Sequence, residues 1–146
     1  MDFNALCLGC RTYRRFERKE IPEEILTELL ENARVANSVM NGQVLRYVLV
    51  KSQETVKKLQ PYFHFAAALP KELGQPKEGE QPTAFIILCT EGRESPWTDM
   101  DIGIAVRTMN LNAYNHGVGS CILGNVEFEP GSSLMKHPDA LYEVCA

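Results

Sequence analysis

The sequence predicts layers of the α/β or α+β class, with helices covering a small mixed sheet, and three observations carry this. One stretch has a clear helical rhythm of apolar residues. Several short β-branched or aromatic runs have the length of strands, and the two kinds of segment alternate along the chain. At 146 residues the chain has the size of one domain with one core.

Taken in order, an N-terminal helix leads to "CRTYRRF" at residues 10–16, and "IPEEILTELLENARVANS" at 21–38 follows. In the latter, Ile25, Leu26, Leu29, Leu30, Ala33 and Ala36 recur at helical spacing. Pro22 suits a first turn, where its missing N–H is harmless, and Glu23 and Glu24 meet the positive end of the helix dipole. "LRYVLVKS" at 45–52 reads as a strand. "SQETVKKLQPYF" at 52–63 predicts a short helix with Ser52 as its cap, ending near Pro61. From residue 66 to 82 the text turns to Pro, Gly, Lys and Glu, which predicts a long loop. "TAFIILCTEG" at 83–92 is a continuous apolar run, hence a strand buried on both faces. The segment from Ser95 to Gly117 offers Thr98 or Asp99 as caps and is apolar nearly all round, as in a core or subunit-interface helix. "GSCILGNV" predicts a strand, "PGSSLMKH" a helical turn, and "LYEVCA" a last strand.

Composition removes several function classes. The net charge of −4 gives no basic face for nucleic acid. No apolar run approaches the roughly 20 residues of a membrane helix. The start of the chain has no basic-then-apolar leader, so a cytoplasmic location is expected. Five cysteines at 7, 10, 89, 121 and 145 do not form a disulfide framework and are read as reduced.

The candidate motifs differ in weight. Arg11, Arg14 and Arg15 with the Thr12 hydroxyl form a set able to grip a phosphate or an anionic ring edge through charge-assisted hydrogen bonds. The alternative is a solvated basic turn paired with Glu17 and Glu20. Cys7 and Cys10 have half-site spacing for zinc, but no second pair follows, and structural cysteines are the better reading. In "GVGSCILG" a dinucleotide loop would need glycine where Ile122 stands, so Gly117, Gly119 and Gly124 instead suggest a helix cap, a turn into a strand and a backbone N–H free to face a flat ligand. His64, His116 and His137 are scattered, and no GxSxG elbow supports a hydrolase.

In their order along the chain, "CRTYRRF", "IPEEILTELLENARVANSVMNGQVLRYVLV", "PKEGEQPTAFIIL" and "DIGIAVRTMNLNAYNHGVGSCILGNV" resemble the nitroreductase family of FMN-dependent oxidoreductases. The resemblance implies a three-layer α+β fold with a mixed, mainly antiparallel sheet between helices. It also implies an intertwined homodimer with FMN at the interface. Hydride would pass from NAD(P)H through FMN to a nitroaromatic, quinone or enone in a ping-pong cycle; a non-catalytic flavin-binding or regulatory dimer is the alternative.

The family's Arg-Arg-Ser-x-Arg-x-Phe pattern falls on residues 10–16, with Cys10 where its first arginine usually stands. By resemblance, Arg11 and Thr12 would face the phosphate and ribityl chain, and Arg14 the N1 and O2 edge of the flavin. Such a cation stabilises a reduced, anionic ring. The family's Ser-x-x-Asn-x-Gln-Pro turn falls on Ser38, Val39, Met40, Asn41, Gly42, Gln43 and Val44, reaching the flavin of the other protomer. The backbone N–H of Gly124 would meet flavin N5, with Ile122 and Leu123 under the ring. No metal and no side-chain acid or base is implied. The whole chain, 1–146, is expected to be one such domain, without the family's usual C-terminal strand and tail.

Overall fold

The computed structural model describes residues 2–66, 68–90, 93, 95–124 and 140–145. Five helices, α1 (Phe3–Gly9), α2 (Glu23–Val35), α3 (Gln53–Leu59), α4 (Lys71–Gly74) and α5 (Thr98–Asn115), accompany four strands. The strands are β1 (Arg46–Val50), β2 (Phe85–Cys89), β3 (Cys121–Leu123) and β4 (Ala140–Cys145), in sheet order β1-β2-β4-β3. Every described strand pair is antiparallel, and parallel pairing is confined to the bridge between Thr12 and Ser120.

Alternation along β2 explains the layers. Ile86 and Leu88 face one side of the sheet, where Leu26, Leu29 and Ala33 of α2 and Ile102, Ala105, Val106 and Met109 of α5 cover them. Phe85 faces the other side, into a cluster of Val56 and Leu59 from α3 with Phe63, Phe65, Cys121 and Leu123. The Phe63 and Phe85 rings stand 4.7 Å apart at 51°. Helices α2 and α5, the sheet, then α3 with Phe63 and Phe65 give the three layers.

Within α5 the buried residues are Thr98, Asp101, Ile102, Ala105, Val106, Met109, Asn110 and Ala113, a single stripe of i, i+3, i+4 spacing. The helix is therefore buried along one face within the chain, with Met100 left 52% exposed on another. It ends in a Schellman motif: Gly117 takes φ +74°, its N–H bonds the Tyr114 carbonyl (3.0 Å), and Val118 N–H bonds the Ala113 carbonyl (2.9 Å).

Several expectations need correction. Pro22 is the N-cap of α2 and lies just outside its first turn. Ser52 caps α3 without a side-chain bond, and Trp97 stands at the cap of α5 while the Thr98 hydroxyl accepts from Ser95 N–H at 2.8 Å. The stretch 66–82 contains the short helix α4. The helical turn expected at 130–137, and residues 125 and 126 of the expected third strand, lie outside the described residues. Cys7, Cys10, Cys89 and Cys121 are outside any disulfide, with Cys7 half-buried.

Tyr47 of β1 donates from its hydroxyl to the Ala33 carbonyl at 3.3 Å, which ties the sheet to α2. Burial raises its pKa, and the Asp101 carboxylate adds to the rise. A folded pKa above the unfolded value means that this contribution to stability is fully present below about pH 10 and is lost as pH climbs through the folded value. Tyr47→Phe is thus expected to flatten the alkaline fall of the urea midpoint, while costing about 0.5–1.5 kcal/mol at neutral pH for the lost hydrogen bond.

Candidate functional site

The segment after α1 runs beside the edge of β3. Tyr13 N–H donates to the Ser120 carbonyl at 3.0 Å, and Thr12 bridges to Ser120. This close approach requires glycine next door: a Cβ on Gly119 would sit 2.9 Å from Tyr13 Cγ and 3.2 Å from its Cβ. Gly119→Ala should push Tyr13 and its neighbours outward, with a cost of about 1–3 kcal/mol in the chemical unfolding midpoint.

Two exposed arginines flank this contact. Arg14 donates through Nε to the Phe65 carbonyl at 2.8 Å, which fixes the side chain and leaves both Nη groups uncommitted among the described residues. Arg11 spends Nη1 on the Cys10 carbonyl at 2.9 Å. Arg15, the third, is engaged with Glu80 at 3.3 Å. Arg14 also reaches the neighbourhood of Cys121: burial pushes that thiol's pKa up, and the nearby guanidinium works against the rise.

Two of the expected contact residues turn inward. Cys10 is 5% exposed, and its thiol donates to Asn110 Oδ1 at 3.1 Å. Along β3, Cys121 and Leu123 point into the core while Ile122 is 44% exposed, as alternation in a strand requires. Only the backbone of Cys10 and of Leu123 is left to face a ligand. Gly124, next to them, is exposed.

The second group, residues 38–43, lies at the other end of α5. Val39 N–H donates to Asp101 Oδ1 at 2.8 Å, and Gln43 N–H to Ser38 Oγ at 3.1 Å. Met40, Asn41 and Gln43 all have positive φ, at 52°, 53° and 47°. Three non-glycine residues in the left-handed region each cost about 1–2 kcal/mol, so the two hydrogen bonds hold a strained loop in shape. Met40 is 88% exposed at its tip, and Asn41 is exposed beside it. Ser38, Gln43, Arg34, Tyr47, Arg93 and Asp101 are among the residues around a cleft of about 370 Å³ at its base.

The structure thus brings Thr12 and Tyr13 against Ser120, just ahead of the strand that carries Ile122, with Arg14 near Cys121, and sets the 38–43 loop at the other end of α5. Cys10 bonds α5 at Asn110 and Val39 bonds it at Asp101. Nine residues of helix rise separate those anchors by about 14 Å. Asp101 and Asn110 are anchoring positions that the motifs did not point to. Their signal was present, since both are polar residues at core-spaced positions of an otherwise apolar stripe. Among the described residues no group of three or more potential metal ligands occurs, and no helix is long and apolar enough to cross a membrane.

Comparison with known proteins adds a lineage. The model of the family described as "Nitroreductase family" matches residues 9–141. A Methanothermobacter thermautotrophicus protein with the provisional name NADH dehydrogenase/NAD(P)H nitroreductase is 26% identical over 117 residues, 78% of this chain and 56% of its own length. An Archaeoglobus fulgidus protein of the same name is 28% identical over 118 residues, 78% of this chain and 62% of its own. The chain therefore matches little more than half the length of these relatives.

Solved structures of similar shape include a nitroreductase family protein from Clostridium novyi NT, with TM-score 0.80, 16% identity, and coverage of 99% of this chain and 83% of that one. A nitroreductase with bound FMN from Bacteroides fragilis NCTC 9343 gives TM-score 0.71 at 20% identity, covering 97% of this chain and 84% of the other. At these identities the likeness concerns the fold.

Proposed function

Since the chain belongs to the nitroreductase family, we propose that it is an FMN-dependent oxidoreductase taking hydride from NAD(P)H and passing it to a nitroaromatic, quinone or enone acceptor in a ping-pong cycle. The single observation that supports it best is the exposed Arg11–Thr12–Arg14 set beside the β3 edge, with the Arg14 fork anchored through Nε and its Nη groups uncommitted among the described residues. This donor set fits FMN, which needs cations at its phosphate and along the edge of its ring that becomes electron-rich.

Bound there, FMN would supply the hydride-carrying ring. The chain's part is to hold and polarise. Arg11 and Thr12 would bind the phosphate and ribityl groups, and Arg14 would stabilise negative charge on the ring edge. The backbone N–H of Gly124 would hydrogen-bond the ring at N5, and Ile122 would offer an apolar surface against it. No side chain need transfer a proton, because stacked geometry is sufficient for hydride transfer.

The separation of about 14 Å between the anchors of the two segments on α5, Asp101 and Asn110, supports the reading that one protomer supplies half a site. In a two-fold dimer with α5 helices antiparallel, the 38–43 loop of one chain would meet the 10–14 and 122–124 patch of the other. Ser38, Val39, Met40, Asn41 and Gln43 would then close the pocket from the partner's side. Exposed Phe3, Leu8, Val35, Met40 and Met100 supply apolar surface for such a contact.

Titration of the purified protein with FMN, followed by quenching of flavin fluorescence and by sedimentation, tests this. Saturable quenching at one FMN per chain, on a dimer, is expected. A monomer that leaves flavin fluorescence unchanged would overturn it.

A further inference from the structure

One buried side chain connects both walls of the patch. Asn110, 5% exposed, donates through Nδ2 to Ser120 Oγ at 2.7 Å. Its Oδ1 accepts from Arg107 Nη1 at 2.6 Å and from the Cys10 thiol at 3.1 Å. The orientation of the amide is chemically fixed: a guanidinium only donates, so the atom facing Arg107 must be the oxygen. The amide thereby joins three segments far apart in sequence. Cys10 opens the stretch that carries Arg11 and Arg14. Ser120 immediately precedes β3, and its carbonyl receives Tyr13 N–H. Asn110 itself sits on α5, among the aliphatic core.

We infer that Asn110 is a positioning residue for the cofactor site, setting the register of the Cys10–Arg14 segment against β3 through its bonds to Cys10 and Ser120. This rests on the flavin reading above, and it gives Cys10 a role. A thiol reaches the Asn110 amide from a position where the family's arginine would be too long and too polar to be buried at 5% exposure. Polar networks buried in an apolar surround specify one arrangement when every member is satisfied, and lose it when one is cut.

Amide hydrogen exchange and FMN affinity, measured together, test the inference. In Asn110→Leu, the amide of Tyr13 should exchange at least ten-fold faster and FMN should bind at least ten-fold more weakly. Val106→Ala, a truncation in the same helix and the same core, should lower the unfolding midpoint while leaving both readouts at the parent level. Cys10→Ala removes one bond of the network without inserting bulk, and serves if Asn110→Leu does not fold. It should show the same changes to a smaller degree, and Cys10→Ser, which keeps a donor to Oδ1, should stay near the parent.

Parent-like Tyr13 exchange in Asn110→Leu and Cys10→Ala would overturn the inference. So would equal loosening of Tyr13 in Val106→Ala. If the parent itself binds no FMN, the proposed function fails, while the exchange comparison still decides the role of Asn110.

Discussion

Arg14→Ala should raise the FMN dissociation constant by roughly ten- to a hundred-fold and leave the unfolding midpoint almost unchanged. The guanidinium is exposed and, among the described residues, its one hydrogen bond is from Nε to the Phe65 carbonyl, so removing it opens no cavity. A charge-assisted contact is worth about 1.5–3 kcal/mol, and about 1.4 kcal/mol is ten-fold in affinity. Arg14→Lys keeps the charge and loses both the Nε anchor and the planar fork, so it should fall between the parent and the alanine variant. Flavin fluorescence titration of the three proteins orders them. Equal affinities would remove Arg14 from the site.

Phe63→Ala is expected to have the largest effect on stability, about 3–5 kcal/mol by urea denaturation, a sizeable share of the 5–15 kcal/mol typical of a whole domain. The ring is fully buried and stands 4.7 Å from Phe85 at the centre of the layer beneath β2. Its loss should also be felt at the site, because the chain two residues on, at Phe65, supplies the carbonyl that anchors Arg14. Phe63→Leu leaves a smaller cavity and should cost less. A midpoint unchanged in Phe63→Ala would contradict the packing described for this layer.

How far the sequence speaks for itself depends on how local the physics is. Helix α2 was readable because its apolar spacing, Pro22 and the two following glutamates act within one helix. Gly117 announced the end of α5 because only a residue free to take positive φ closes a Schellman turn there. β2 was readable as a strand buried on both faces because its apolar run admits no solvated side. Assignment of Leu123 to the ligand face ignored the period of two in a strand, which places it with Cys121 on the core side. That Cys10 is a buried, structural cysteine was readable from its type and lack of a second pair, but its partner Asn110, a hundred residues away, was not. The left-handed loop at Met40, Asn41 and Gln43 was equally hidden, because no glycine stands at those three positions.

The family pattern located the exposed arginines and the loop, and the fold anchors the two at separate points along α5. That separation is what makes an interface site the consistent reading. Two buried polar residues of α5, Asp101 and Asn110, anchor the loop and the Cys10 segment respectively.

The most direct test of the whole account is anaerobic mixing of the FMN-loaded protein with NADH or NADPH while the long-wavelength flavin absorbance is followed. The account predicts that the absorbance bleaches and returns when a quinone or nitroaromatic is added. Protein that holds FMN yet shows no bleaching with either nucleotide would contradict it, and would mark the chain as a flavin binder without turnover.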